Sequence, residues 1–342
     1  MRCMVLLNKR IEGLEWMNTK EFVDAYYKDA EGTYKVGTRF CIDSDVLYDY
    51  VEETSKELFE MNADELVELI ARLVNGRDWK SVKVMKSQNT YANIISALKD
   101  MINWYIIHVK PVPNIIQLDS RFRGKNYLQL ISDRYAVFSY EVLQNAIKNI
   151  RGKSSEGKAD YVEYLCLLFY SGFQSAEEVI SFRLKDVDPR ARTVKLIGRT
   201  VKMTERCYEL YKEFWNIDSF VSGNHRCYLC SLPDRGFRFL VRDSEVDTFH
   251  LRDEARNRNS IYAQITKNMK DANLNGVNYK TIFMLGLYDY MVRKFGKART
   301  NQIILCENDE RAITQLNDVL VEYGLDPSQT YPYKKYLVMF AK

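Results

Sequence analysis

A chain of 342 residues is long for one domain and comfortable for two. Its 46% hydrophobic and 28% charged residues are ordinary globular proportions, and 6 prolines with 15 glycines exclude a collagen-like or linker-dominated chain. The formal charge of +4 is unevenly spread: residues 1–110 carry 15 Lys+Arg against 18 Asp+Glu, and the remainder 35 against 28. An anionic partner is therefore expected to meet the second part. The longest apolar runs, such as 164–170, fall far short of the roughly 20 residues a membrane span needs. The start, Met1–Arg10, lacks the small-residue cleavage site of a signal peptide. No membrane partner is expected. Seven scattered cysteines in a chain of this size read as reduced thiols.

In chain order, Leu47, Val51, Leu58 and Met61 predict a helix over 46–61. Leu66, Leu69, Ile70 and Leu73 form the stripe of a second. A third carries Ile94, Leu98, Met101, Ile102, Tyr105 and Ile106. Lys110-Pro111-Val112-Pro113 stops that helix. These marks divide the chain into a helical domain at 1–110, a basic linker at 111–125 and a second domain at 126–342. Beyond the linker, Ser139 is placed to cap a helix with core positions Val142, Leu143, Ala146, Ile147 and Ile150. The next helix carries Val162, Leu165, Cys166 and Phe169 and ends at Gly172. Ser175-Ala-Glu-Glu178 reads as a capping box. Residues 193–197 and 200–203, joined through Gly198-Arg199, read as a β-hairpin, and Thr204 restarts a helix.

That order, with its residues, resembles the tyrosine recombinase (phage integrase) family. Leu167-Leu168-Phe169-Tyr170-Ser171-Gly172-Phe173-Gln174-Ser175-Ala176-Glu177-Glu178 is similar to the family's apolar helix running into Thr-Gly-Leu-Arg-x-Ser-Glu-Leu. Arg183-Leu184-Lys185-Asp186-Val187-Asp188 resembles the Leu-x-x-Asp-Ile/Val-Asp that follows, and Phe138-Ser139-Tyr140-Glu141-Val142-Leu143 the opening helix. The match is specific across about 137–215, looser over 35–110 and weak beyond 216. It implies a mainly α fold with a small β-sheet, a helical core-binding domain followed by an α+β catalytic-like domain, and double-stranded DNA as partner.

Family chemistry is attack of a tyrosine on a phosphodiester whose non-bridging oxygens are clamped by two arginines, with a hairpin lysine assisting. The position matching the first arginine holds Gln174, a neutral amide in place of a charged planar fork. The His-x-x-Arg box falls near Asn278-Tyr279-Lys280-Thr281-Ile282, where Tyr279 and Ile282 take the place of histidine and arginine. Losing one such stabiliser costs on the order of a hundred- to a thousand-fold in rate. Lys202 matches the hairpin lysine, and Tyr331, Tyr333 and Tyr336 lie where the nucleophile is expected, among 24 tyrosines in all. An inactive scaffold that binds DNA is the resulting expectation. An active recombinase using Lys280 or Arg199 as substitute, or an accessory DNA-binding protein, are the alternatives.

Candidate DNA contacts are Lys83, Lys86, Asn89, Tyr91 and Asn93 at the start of the third helix, Arg121, Arg123 and Lys125 in the linker, and Gln174, Lys195, Arg199, Lys202, Lys280, Lys297 and Arg299 in the second domain. Plain helix capping and a solvated connector are the bland readings of the first two groups. Cys227-Tyr-Leu-Cys230 has metal-knuckle spacing but lacks a second pair, so buried thiols are the simpler reading and no cofactor is expected. Binding without cleavage points to a transcriptional repressor, as in prophage lysogeny control. Such a protein would work in a bacterial cytoplasm, with self-association on DNA and a phage-encoded antagonist as further partners.

Overall fold

The computed structural model describes residues 17–30, 42–76, 88–123, 138–153, 155–222, 224–306 and 309–341, and the chain divides into two units, Met1–Ala136 and Val137–Lys342. In the first, α1 (Thr19–Ala30), α2 (Ser44–Thr54), α3 (Ala63–Asn75) and α4 (Gln88–His108) surround an apolar centre. Asn62 opens α3 by accepting the amides of Asp64 and Glu65, and the Glu65 carboxylate returns to the Asn62 amide at 2.9 Å. The expected stripe of Leu66, Leu69, Ile70 and Leu73 is buried. The single helix expected over 46–61 is two pieces. α2 ends at Thr54, where Ser55 turns left-handed at φ 52°, and a short 3-10 turn at Leu58–Glu60 follows.

Residues 111–123, within the segment expected as a basic linker, pack on the first unit. Asn114 donates to the Lys99 carbonyl (3.1 Å) and the Asn103 side chain (2.9 Å) and opens α5 (Ile115–Leu118), while Ile116 and Phe122 are buried. The prolines stop α4 as expected, but the apolar residues after them have a core to enter.

The second unit is built around α7 (Glu156–Ser171), flanked by α6 (Tyr140–Lys153). Every residue from Ala159 to Tyr170 is buried, so α7 has no solvent face and serves as the central rod. Its two buried charged members, Asp160 and Glu163, are answered by Arg151 and Arg206. α8 (Ala176–Ser181) follows, then an antiparallel sheet of β1 (Val187–Asp188), β2 (Thr193–Leu196) and β3 (Arg199–Lys202). After α9 (Glu205–Asn216), capped by Thr204, comes a second antiparallel sheet of β4 (Ser219–Ser222), β5 (His225–Ser231) and β6 (Arg238–Arg242). The architecture is mainly α with a small β component, as expected, but the β component is two sheets. Helices α10 (Glu254–Asp271), α11 (Tyr279–Phe295), α12 (Lys297–Leu305), α13 (Glu310–Glu322) and α14 (Thr330–Leu337) complete the unit. The C-terminal segment folds on this same unit, with Phe340 stacked on Tyr288 at 5.6 Å. Among the described residues, no helix is long and apolar enough to cross a membrane.

α11 crosses α7 at Gly286, where an added Cβ would stand 1.9 Å from the Tyr170 carbonyl oxygen. A backbone oxygen in a rod buried on all sides cannot yield. Gly286→Ala should therefore cost at least about 3 kcal/mol in urea denaturation. Gly152→Ala, in open space on α6, should be neutral or stabilising by up to about 1 kcal/mol.

Candidate nucleic-acid interface

The turn that leaves α7 is closed by one arginine. Gly172 caps α7, and Gln174 follows with its backbone amide donating to Glu178 Oε2 at 2.6 Å. Ser175 accepts the Glu178 amide at 3.4 Å, the half of the expected capping box that forms. Glu178 does not return to Ser175 because its carboxylate is drawn to Arg199 on β3, at 3.2 Å from Nε and 2.5 Å from Nη2. The same guanidinium donates to the carbonyls of Gly172 (2.8 Å) and Tyr323 (3.4 Å). Its side chain is only 5% exposed. Gly324, at φ 73°, leaves room for the Arg199 stem, since a Cβ there would come within 2.6 Å of it.

This corrects the expectation for Arg199. It is committed to the interior, and strand alternation explains why. Arg199 shares a face with buried Val201, whereas Lys195, Thr200 and Lys202 point outward. Parity along the hairpin would have separated Arg199 from the two lysines. At the hairpin turn, Ile197 is 99% exposed between them.

The remaining positions of the resemblance meet on α11 and α14. Ile282 is fully buried, and Tyr279 stacks on Tyr262 at 4.2 Å and lies 5.3 Å from Phe169. Lys280, exposed, donates to Tyr336 Oη at 2.9 Å and places its ammonium 4.1 Å from that ring's centre. Tyr333 packs 6.4 Å from Phe283; burial raises its phenol pKa, and the charge of Arg199 draws it part-way back. Tyr331 is 59% exposed. Tyr323, which reasoning from the sequence passed over, is nearer the centre: its carbonyl takes Arg199, and burial raises its own phenol pKa. Its place between a helix end and Gly324 was the available signal.

Beside this network lies a cavity of about 450 Å³ lined by Arg199, Lys202, Arg293, Tyr170 and Tyr323. Its cations are mostly answered. Arg192 pairs with Glu205 at 3.0 Å and Arg199 with Glu178, while Arg293 stands by Tyr170 and Asp289. Burial pushes the Asp289 carboxyl upward, and the Tyr170 hydroxyl, donating at 2.8 Å, lowers it again. Lys202 has no carboxylate partner among the described residues.

Other candidates are sorted by burial. Tyr91 is fully buried and is a core residue of α4, not a surface contact, while Asn93 is exposed. Arg121 is held by Asp119 and by Asp64 at 2.6 Å, and Arg123 donates to the Gln117 and Leu118 carbonyls. Lys195 and Lys297 are exposed, and Arg299 donates to Gln302 and Gln315. Lys83, Lys86 and Lys125, and the side chain of Asn89, lie outside the described residues. Cys227 and Cys230, three apart on β5, project from opposite sheet faces and do not share a ligand position.

No protein-family model matches the chain, and no curated protein is detectably similar to it. Among solved structures, a XerA recombinase aligns over 92% of this chain and 90% of its own, at 13% identity and a TM-score of 0.37.

Removing the Arg199 guanidinium would leave a mostly buried carboxylate and two carbonyls short of donors. Arg199→Gln should lower stability by about 3 kcal/mol, and Arg199→Lys, which keeps the charge without the fork, by less. The double variant Arg199→Gln/Glu178→Gln should recover part of the loss, read as a coupling in denaturant melts.

Proposed function

We propose that this chain is a sequence-specific double-stranded DNA-binding protein on an inactive tyrosine-recombinase scaffold, acting as a transcriptional repressor of prophage lytic genes. The observation that carries the reading is the fate of the phosphate clamp. Gln174 stands where the first arginine is expected, Tyr279 and Ile282 are taken up by packing, and the nearby guanidinium of Arg199 is tied to Glu178 and two carbonyls. A phenol without that clamp has nothing to stabilise the charge that builds on phosphorus. Exposed Lys195, Lys202 and Lys297 remain able to neutralise backbone phosphates. The integrase-like lysogeny repressors of SPβ-type prophages offer a functional parallel, with action in the host cytoplasm, self-association on operators and release by a phage-encoded antagonist.

A second reading rests on one contact. Lys280 holds the Tyr336 hydroxyl at 2.9 Å, the arrangement a divergent recombinase would need if lysine replaced the clamp. A nicked duplex that traps phosphotyrosine separates the two. The repressor reading expects no covalent adduct, with Tyr336→Phe and Tyr333→Phe binding DNA as wild type does. An adduct lost in Tyr336→Phe would establish the enzyme.

Selection of bound fragments from the source genome should recover a shared short motif upstream of genes, and recovery of random fragments would support an accessory role. On that motif, Lys202→Gln and Lys297→Gln should each reduce the slope of log affinity against log salt by about one.

A further inference from the structure

The second sheet and two helices enclose a cavity of about 910 Å³ that takes no part in the clamp region. One face of the sheet supplies Ser222, His225, Cys227, Leu240 and Arg242. These residues share a side because Cys227 pairs across the strands with Arg242, and Ser222 with His225. α7 contributes Lys158 and Val162, and α10 contributes Ala263, Gln264 and Lys267.

The cavity gathers cations that the fold leaves without a carboxylate among the described residues. Elsewhere in the unit, Arg151, Arg192, Arg199, Arg206, Arg252 and Arg258 all have carboxylate partners. Four residues before Arg242 on the same strand, Arg238 is held by Asp218 and by carbonyls. Yet Lys158, Arg226, Arg242 and Lys267 have no carboxylate partner among the described residues, and Asp243 is the lining carboxylate beside them. Arg242 lies directly across the strands from Cys227, and the charges of Lys158 and Arg242 both draw that thiol's pKa down against the larger upward push of burial. Four cations gathered on one concavity repel each other, and an anion brought between them removes that cost.

The lining is not uniformly cationic. Val162, Leu240 and Ala263 give an apolar wall, and Gln264 and Ser260 offer hydrogen bonds along it. A ligand with a flat, polar-edged ring and a phosphate tail meets both parts, and the volume falls in the ~300–1,000 Å³ range usual for small-molecule sites. A duplex backbone supplies phosphates but nothing for the apolar wall. We propose that this cavity binds a nucleotide, its phosphates held by Lys158, Arg242 and Lys267 and its base laid against Leu240 and Ala263.

The test uses the full chain, with isothermal titration of the four ribonucleoside triphosphates and inorganic triphosphate, and alkylation of Cys227 followed by mass spectrometry. At least one nucleotide should bind and slow Cys227 alkylation about fivefold or more. Inorganic triphosphate, lacking the ring, should bind at least about tenfold more weakly. Lys158→Gln and Arg242→Gln, both at accessible positions, should each weaken the nucleotide about tenfold, and Lys195→Gln on the distant hairpin should not. The proposal is overturned if no nucleotide protects Cys227. It is equally overturned if random duplex DNA protects the thiol and nucleotides do not, which would make the cavity a contact for backbone phosphate. Neither result bears on whether the clamp region cleaves DNA, so this inference and the repressor reading fail separately.

Discussion

One buried guanidinium organises the second unit. Arg199 leaves a β-strand, crosses to the end of the central helix and reaches the carbonyl that ends α13, joining the hairpin, the 172–178 turn and the C-terminal helices. A buried charge is tolerated only when its donors are nearly all used. The strand, the turn and the Tyr323–Gly324 corner therefore have little freedom to move independently. Glu178, drawn into the same pair, gives up its role in the capping box and holds the Gln174 amide instead. Local helix chemistry yields here to a tertiary ion pair.

The same economy separates the two concave regions of this unit. Around the hairpin and α13, most cations are matched by carboxylates or held by carbonyls and phenols. Around the second sheet, four cations line one cavity with one neighbouring carboxylate. On the hairpin, Lys195 and Lys202 stay exposed.

Burial also decides the tyrosines. With 24 in the chain, position alone could not single one out. Tyr164, Tyr170 and Tyr323 sit in apolar surroundings that raise their phenol pKa values and keep them protonated. Tyr262, pushed up to about 12, uses its hydroxyl to hold the Ala176 amide. Most of the tyrosines around the turn are structural.

Helical periodicity, the proline stop and the caps at Ser139 and Thr204 could be read directly, because each depends on residues within a turn of one another. So could the β2–β3 hairpin. The break at Ser55, the docking of 111–123 and the second sheet could not. Each is settled by apolar residues finding a core supplied from far along the chain. Whether a cation is free or bound was legible only in part: alternation along β3 separates Arg199 from Lys202, but the Glu178 carboxylate that pairs with Arg199 is brought in by the fold. The sequence by itself determined most of the helices and the hairpin, since those are matters of local spacing and residue identity. The tertiary structure alone decided which charges remain for a partner, because pairing a charge requires a neighbour that only folding can supply.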